Sequence, residues 1–227
     1  MDCPPKVDIF GVNVSRTDYE EACRVIIEAG RAHRSFGVTA LAVHGLLEAA
    51  RDPGFRAVVN SLDLVTPDGQ PVRWAENLFH DTGLKDRVAG PDLLWKICAA
   101  AERAKISVYF YGSTEDTCER MVARIKDRHP ELCVAGVQPD RFREATPEED
   151  RMDVRRIHES GAGFDFAAGV IPRAPSWMQK NGLEWFHRLT MEPRRLGRRY
   201  MVTNSIFIFF LARECARRWR TGAAFRA

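Results

Sequence analysis

The strongest constraint on this chain is a rhythm in its hydrophobicity. Short, apolar, β-rich runs alternate with longer stretches whose apolar residues recur at helical spacing. Phe36 to Val43, Leu62 to Thr66, Ile106 to Tyr111 and Cys133 to Val137 read as strands. Helices are expected after the capping box Thr17-Asp-Tyr-Glu20, over His44 to Arg51 with a stop at Asp52-Pro53, and over Gln70 to Phe79. Two more are expected from Pro91 to Lys105 and after Ser113-Thr-Glu-Asp116. Strands joined through helices pair in parallel, because a tight hairpin cannot make that crossover. The fold class expected is therefore α/β and Rossmann-like, a mostly parallel sheet with helices on both faces. Ligands in such sheets bind beyond the carboxyl ends of the strands.

The rhythm fails once. Thr146-Pro-Glu-Glu149 caps a helix running to Ser160, which should feed another apolar strand. The chain offers Gly161-Ala162-Gly163 and then FDFAAG instead. From Ala174 the texture changes, with Trp177, Met178, Trp185 and Phe186 set among bases, then Arg194, Arg195, Arg198 and Arg199, and a last cluster at Arg217, Arg218 and Arg220. The organisation expected is a Rossmann-like domain over residues 1–172 and a basic, aromatic-rich helical appendage over 173–227.

The charge supports that division. The 227 residues sum to +3, yet the segment from Arg173 holds 12 Lys/Arg against three acidic residues, a balance of +9 that leaves −6 for residues 1–172. A basic tail on an acidic body points to an anionic partner: nucleic acid, lipid headgroups or a diphosphate. Aromatics among the arginines, with Ile206, Phe207, Phe210 and Leu211 offering an apolar side, fit an interfacial helix on an anionic membrane surface. A solvated basic helix explains the charge but not the aromatics, and no recognised nucleic-acid module accompanies the tail, so nucleic acid is not an expected partner. The longest apolar run, Ile206 to Ala212, is too short to span a bilayer. Met1 to Val12 carries charge and two prolines where a signal peptide needs an apolar core. The six cysteines are scattered without a C-x-x-C, which argues against zinc and against a disulfide framework. Cys23, Cys98 and Cys118 fall on apolar helix faces and read as reduced core thiols.

Two residues stand out chemically. Asp68 follows a buried strand that stops at Pro67, and Gly69 lets the backbone turn there. It is either the N-cap of the next helix or a base at a strand tip. Arg87, in DRVAGPDLL, is either a solvated loop arginine or an anion-binding group. Taken as a pair, they match what many transferases need: a carboxylate to take a proton from an acceptor hydroxyl and a guanidinium to stabilise a departing diphosphate. The chain has no D-x-D triplet, so neither metal nor any other cofactor is expected. Asp165, between two phenylalanines, is open between a structural carboxylate and a substrate contact.

The stretches TPDGQPVRW, DRVAGPDLL, FYGST, GFDFAAG with the following RAP-x-WMQ-x-x-GLEW, and MEPRRL-x-RRY occur in this order. Together they resemble the WecG/TagA/CpsF glycosyltransferases, from about Val7 to Tyr200. The resemblance implies an inverting enzyme that moves an N-acetylmannosamine-type or related sugar from a UDP donor. Its acceptor would be a sugar on undecaprenyl diphosphate, at the cytoplasmic face of the membrane, for a cell-surface polysaccharide. It implies Asp68 as general base and Arg87 at the diphosphate, with Thr39 at an early strand tip. Arg194, Arg195 and Arg198 would complete the site from the appendage. Gly69, Gln70, Gly90, Tyr111, Gly112 and Asp165, from the same motifs, would contact substrate. A homo-oligomer is compatible with it. This chain departs from the family's pattern at Thr39-Ala40-Leu41, where many members have Thr-x-Asn. It also lacks a strand–helix–strand unit ending V-G-x-G-x-P-x-Q-E near Gly161, roughly 30 residues. The loss of that unit predicts weakened or abolished catalysis, leaving membrane or partner binding as the alternative function.

Overall fold

A computed structural model describes residues 2–143, 146–149, 151–152 and 193–221, with the side chains of the last segment from 202 onward. The chain divides into two compact units. One is built on Tyr19–Phe36 and the chain from Gly90 to 152; the other on Cys3–Asp18, Gly37–Ala89 and the C-terminal helix.

The second unit opens with an antiparallel hairpin, β1 (Lys6–Ile9) and β2 (Val12–Ser15), with Ile9 opposite Val12. Its two-residue turn, Phe10-Gly11, has both φ angles positive, 59° and 89°, as hairpin turns of the primed type require. The alternation of apolar runs predicts no hairpin here, because Phe-Gly lacks the Asn or Asp that ordinarily signals such a turn. Two parallel strands follow, β3 (Val38–Leu41) and β4 (Leu64–Pro67), paired in register from Val38 opposite Leu64 to Leu41 opposite Pro67. All four residues of β4 are buried, the signature of a strand covered on both faces. Ser15 couples β2 to β4, its hydroxyl accepting from the N–H of Val65 at 3.0 Å.

Between β3 and β4 lie two helices, not one: α2 (Val43–Arg51) and α3 (Pro53–Ser61). Asp52-Pro53, read from the sequence as a stop, is also a start. The Asp52 carboxylate accepts from Gly54 N at 2.8 Å and Phe55 N at 3.1 Å, and Pro53 occupies the first helical position, where its missing N–H costs nothing. Helix α4 (Gln70–His80) then buries Val72, Ala75, Glu76 and Phe79. These close a core with Ile9, Val12, Val14, Leu41, Leu46 and Leu47.

The C-terminal helix, labelled α7 here (Pro193–Thr221), docks on this core. Phe207 is buried in it, and Ile206, Phe210, Leu211 and Cys215 pack against it. That corrects the sequence expectation: the face formed by Ile206, Phe207, Phe210 and Leu211 meets protein, not lipid. The exposed apolar residues of α7 are Val202, Ile208, Phe209 and Trp219. Near its end Arg218 donates to the carbonyl of Phe79 at 2.6 Å and to Glu214 at 2.8 Å, with its guanidinium 4.6 Å from the Phe79 ring centre. Among the described residues, no helix is long and apolar enough to cross a membrane.

In the first unit α1 (Tyr19–Arg31) packs along α5 (Gly90–Ala104). Strand β5 (Val108–Tyr111) pairs in parallel with β6 (Val134–Gln138). A bulge lets Tyr109 stand opposite Gly136, whose missing Cβ makes room for the Tyr109 ring. Helix α6 (Glu115–Arg128) crosses between the strands, capped by Thr114 and not by the expected Ser113. Its Met121 and Ile125 face the same cluster as Ile27, Leu94, Cys98 and Phe110, and its Cys118 is also buried. The expected capping box at Thr146 is present in reciprocal form: Glu149 N donates to the Thr146 hydroxyl, and Thr146 N to the Glu149 carboxylate. The end of that helix, the Gly161 break and the FDF block lie outside the described residues.

The cysteines are all free. Burial raises the thiol pKa of Cys23 and Cys98 to about 11 and also raises that of Cys118, so all three are protonated and unreactive; Cys98 and Cys118 are buried as the sequence indicated, whereas Cys23 is only partly buried.

Candidate active site

The site is built at the carboxyl end of β4. Pro67 ends the strand, and the next residue, Asp68, donates its N–H to the carbonyl of Leu41 at 3.2 Å, tying the two parallel strand tips together. Gly69 has φ +104° and is the N-cap of α4, with no side-chain cap. An L side chain at that φ is strained, so the turn calls for glycine. This decides between the two sequence readings of Asp68 as far as the cap is concerned: the cap position belongs to Gly69. The Asp68 side chain is half-buried at the strand tip. Gln70 follows as the first helical residue, buried, with Oε1 lacking a partner among the described residues.

Arg87 reaches the same place by a longer route. Helix α4 ends at Asp81 in a left-handed conformation, φ 47°, and Gly83, φ 65°, helps reverse the chain. The returning segment is laced to α4. Asn77 Oδ1 accepts from the Thr82 hydroxyl at 2.6 Å and from Leu84 N at 2.9 Å, while its Nδ2 donates to Leu84 O at 3.0 Å. Arg73 donates to the carbonyls of Leu84 at 3.1 Å and Lys85 at 2.7 Å. The segment then meets β4. Val88 N donates to Pro67 O at 2.9 Å, and the Thr66 hydroxyl donates to Val88 O at 3.2 Å. Asp68 and Arg87 are thus the immediate neighbours of a bonded pair. Their Cα atoms can be no more than about 13 Å apart, three Cα–Cα steps across a ladder contact. Arg87 N also donates to Asp86 Oδ1 at 2.8 Å.

The other expected residues divide. Thr39 is on β3 but not at its tip: it pairs with Val65, two positions before the end of the strand. The tip is Leu41, buried in the core, where many family members were expected to carry asparagine. Gly90 opens α5, and Tyr111 and Gly112 close β5; all three belong to the other compact unit. There, Phe110, Tyr111, Gly112, Ser113, Thr117, Cys118 and Met121 line a small depression. Gly112 has φ +116°, and its carbonyl accepts from Cys118 Sγ at 2.9 Å. Arg194, Arg195 and Arg198 fall in the first turns of α7, with side chains outside the described residues, as is Asp165.

Sequence reasoning missed the groups that hold the Arg87 segment, namely Thr66, Arg73, Asn77 and Thr82. Asp81-Thr82-Gly83 has turn composition, but nothing in the sequence pairs it with a helix residue four positions earlier. It also missed Glu76. This carboxyl is fully buried beside Val72, Ala75 and Phe79 on the inward face of α4, with both oxygens lacking partners among the described residues. Burial raises its pKa to about 8. A signal existed, since Glu76 lies four residues after Val72 on the apolar stripe.

Parallel strand pairs joined through helices define the class, an α/β protein of Rossmann-like build. The model of the family described as "Glycosyl transferase WecG/TagA/CpsF family" matches residues 7–163 and again 148–221. The chain belongs to this family of glycosyltransferases. It is similar to two proteins named N-acetylglucosaminyldiphosphoundecaprenol N-acetyl-beta-D-mannosaminyltransferase. That of Bacillus subtilis strain 168 is 26% identical over 178 residues, and that of Bacillus spizizenii strain W23 is 28% identical over 179. Each match covers 66% of this chain and 69% of the relative. As 66% of 227 residues is about 150, the 178 aligned positions exceed this chain's share by about 28.

Proposed function

We propose that this chain transfers an N-acetylmannosamine-type sugar from a UDP donor to an undecaprenyl-diphosphate-linked acceptor, with inversion. The observation that carries the reading is the Val88–Pro67 hydrogen bond, which sets Asp68 and Arg87 beside one another at a strand tip. The names of the two relatives support the acceptor class and the sugar. Asp68 takes the proton of the acceptor hydroxyl as its oxygen bonds to the anomeric carbon. The bond from that carbon to the UDP oxygen breaks on the opposite face, and the electron pair leaves with the diphosphate. Arg87, with Arg194, Arg195 and Arg198, offsets the charge that develops there without a metal. Thr39 and Gln70 position substrate.

The exposed apolar residues of α7 share its surface with Arg213, Arg217 and Arg220. That combination favours docking on an anionic bilayer, with the protein held peripherally on the inner face of the cell membrane. UDP release from a panel of UDP-N-acetylhexosamines with a short-chain lipid-diphosphate acceptor tests the function. Equal turnover by wild type and Asp68→Ala would reject the base.

A second reading has its own observation. About 28 positions of the relatives have no counterpart here, and the family model matches in two overlapping pieces that meet at 148–163. The size and place fit the strand–helix–strand unit missing near Gly161. On this reading the chain binds membrane or a partner but does not catalyse. Wild type without turnover, regaining it when a relative's segment is inserted after Ala162, selects it.

A further inference from the structure

We infer that Asn77 is a positioning residue for Arg87, acting through the segment that carries it; this rests on the diphosphate-binding role proposed above. The amide of Asn77 treats Leu84 as a neighbouring strand would, accepting from its N–H at 2.9 Å and donating to its carbonyl at 3.0 Å. Its Oδ1 takes a second hydrogen bond from Thr82, which is buried. Three of the four hydrogen bonds an asparagine side chain can make are spent on one short stretch of returning chain.

The spacing explains why this fixes Arg87. From Asn77 back to Gly69 the helix covers eight residues, about 12 Å at the α-helical rise. From Leu84 to Val88 the chain has four steps, about 13 Å when extended. The chain bends at Asp86, so the segment spans less than that limit, and it is pinned at Leu84 by Asn77 and at Val88 by Pro67 and Thr66. Arg73 pins Lys85 between them. Arg87, one residue before the second anchor, therefore has its backbone set by both. Without the Asn77 amide only Arg73 holds the Leu84 carbonyl, and the looser segment lets Arg87 shift from its place beside the Asp68 strand tip. A displacement of an ångström at a reacting group can lower a rate about 100-fold.

The test uses the full chain and compares wild type, Asn77→Ala, Asn77→Asp, Arg87→Ala and the double variant Asn77→Ala/Arg87→Ala. Asn77→Asp keeps the shape and both acceptor contacts but sets an oxygen against Leu84 O. Turnover is read as UDP release, and ground-state binding as UDP titrated by calorimetry. Amide hydrogen exchange across 82–88 reports the segment itself. The expected result is faster exchange at Leu84 in Asn77→Ala, with kcat down about 10- to 100-fold in both single variants. If the chain does not turn over, UDP affinity falls by about 10-fold instead. In the Arg87→Ala background, Asn77→Ala should then add little, because the group it positions is gone. If exchange rises while Arg87-dependent turnover or UDP binding is unchanged, Asn77 is only structural and the inference falls. Full additivity in the double variant also overturns it. If wild type shows neither turnover nor UDP binding that depends on Arg87, the proposed function falls first and carries this inference with it. Should Asn77→Ala fail to fold, Thr82→Val removes one of the same hydrogen bonds at the far end and is read in the same way.

Discussion

Val88 N–H meets the carbonyl of Pro67 at 2.9 Å, and through that one bond two distant motifs become neighbours. Asp68 follows Pro67, and Arg87 precedes Val88. Thr66 seals the contact from the other side by donating to Val88 O. Backbone and a buried hydroxyl hold the strand tip, and the acid and the guanidinium stand one residue beyond the bonded pair.

For the acid and the base, replacement should separate chemistry from folding. Asp68→Asn retains the shape and should lower kcat by about 10²–10⁴-fold, the usual worth of a positioned base, with little change in melting temperature. Arg87→Lys keeps the charge but loses the planar fork, and should fall between wild type and Arg87→Ala. UDP-release assays beside thermal melts check both statements. Equal kcat for Arg87→Lys and wild type would contradict the guanidinium's role.

Glu76 makes stability depend on pH in an unusual direction. Its folded-state pKa lies near 8, against an ordinary carboxyl value of 4.5. Below 4.5 both folded and unfolded chains hold the proton and there is no cost. As pH rises from 4.5 towards 8 the unfolded chain gives up its proton and the folded one keeps it, so stability is lost across that window and levels off above it. The loss is on the order of 3–5 kcal/mol. Glu76→Gln should remove most of that slope and stabilise the protein at pH 8. Urea unfolding at pH 5 and pH 8 measures it, and an unchanged slope would show that another group is responsible.

Phe10 sits at φ +59° on the hairpin tip, a conformation that costs a bulky L residue about 1–2 kcal/mol. Its ring lies edge-on to Phe79, Phe207 and Phe210 at 5.4–6.0 Å between centres. Burying the ring is worth about 1.5–3 kcal/mol, and each edge-on pair adds about 0.5–1.5 kcal/mol. Packing therefore wins, and Phe10→Gly should destabilise the protein by about 2 kcal/mol despite relieving the turn. Because two of those rings belong to α7, the same variant should expose α7 to limited proteolysis. A stabilised Phe10→Gly would reverse the ranking of the two effects.

Arg218 is the other fastening of α7. Its bonds to Phe79 O and Glu214 are largely shielded from solvent, and hydrogen bonds from Arg217 first, then Arg218, hold the Glu214 carboxyl down to about 2. Glu214 thus contributes stability above its unfolded pKa, near 4.5, and that contribution is lost as pH falls towards 2. Arg218→Ala should destabilise by about 2–4 kcal/mol, because it leaves the acid without one of its partners. Denaturant unfolding at pH 7 checks the size, and a loss below about 0.5 kcal/mol would mean the latch is ornamental.

In the first unit, Gly136→Ala should be poorly tolerated. A Cβ there would lie 2.4 Å from the Tyr109 ring, and the ring is held in place by its hydroxyl, which donates to Gln138 at 3.1 Å. A cost of about 1–3 kcal/mol is expected. A paired Tyr109→Ala change, which vacates the space, should recover part of it.

The amino-acid order alone determined the parallel α/β plan, since only crossover helices fit the spacing of its apolar runs. It also determined the Pro67-Asp68-Gly69 turn, the Thr146 capping box and the protonated state of three helix thiols, because each of these is a local matter of propensity, φ and burial. The hairpin and the second helix at Asp52 escaped it. A Phe-Gly turn is stabilised by rings 69 to 200 residues away, and Asp-Pro ends one helix with the same atoms that begin the next. Only the tertiary structure decided which side of α7 faces protein, how Glu76 came to be buried without a partner among the described residues, and that Asp68 and Arg87 flank one strand-tip contact. Those outcomes depend on contacts between segments far apart in the chain, and the energy of such a contact is not written in either segment by itself.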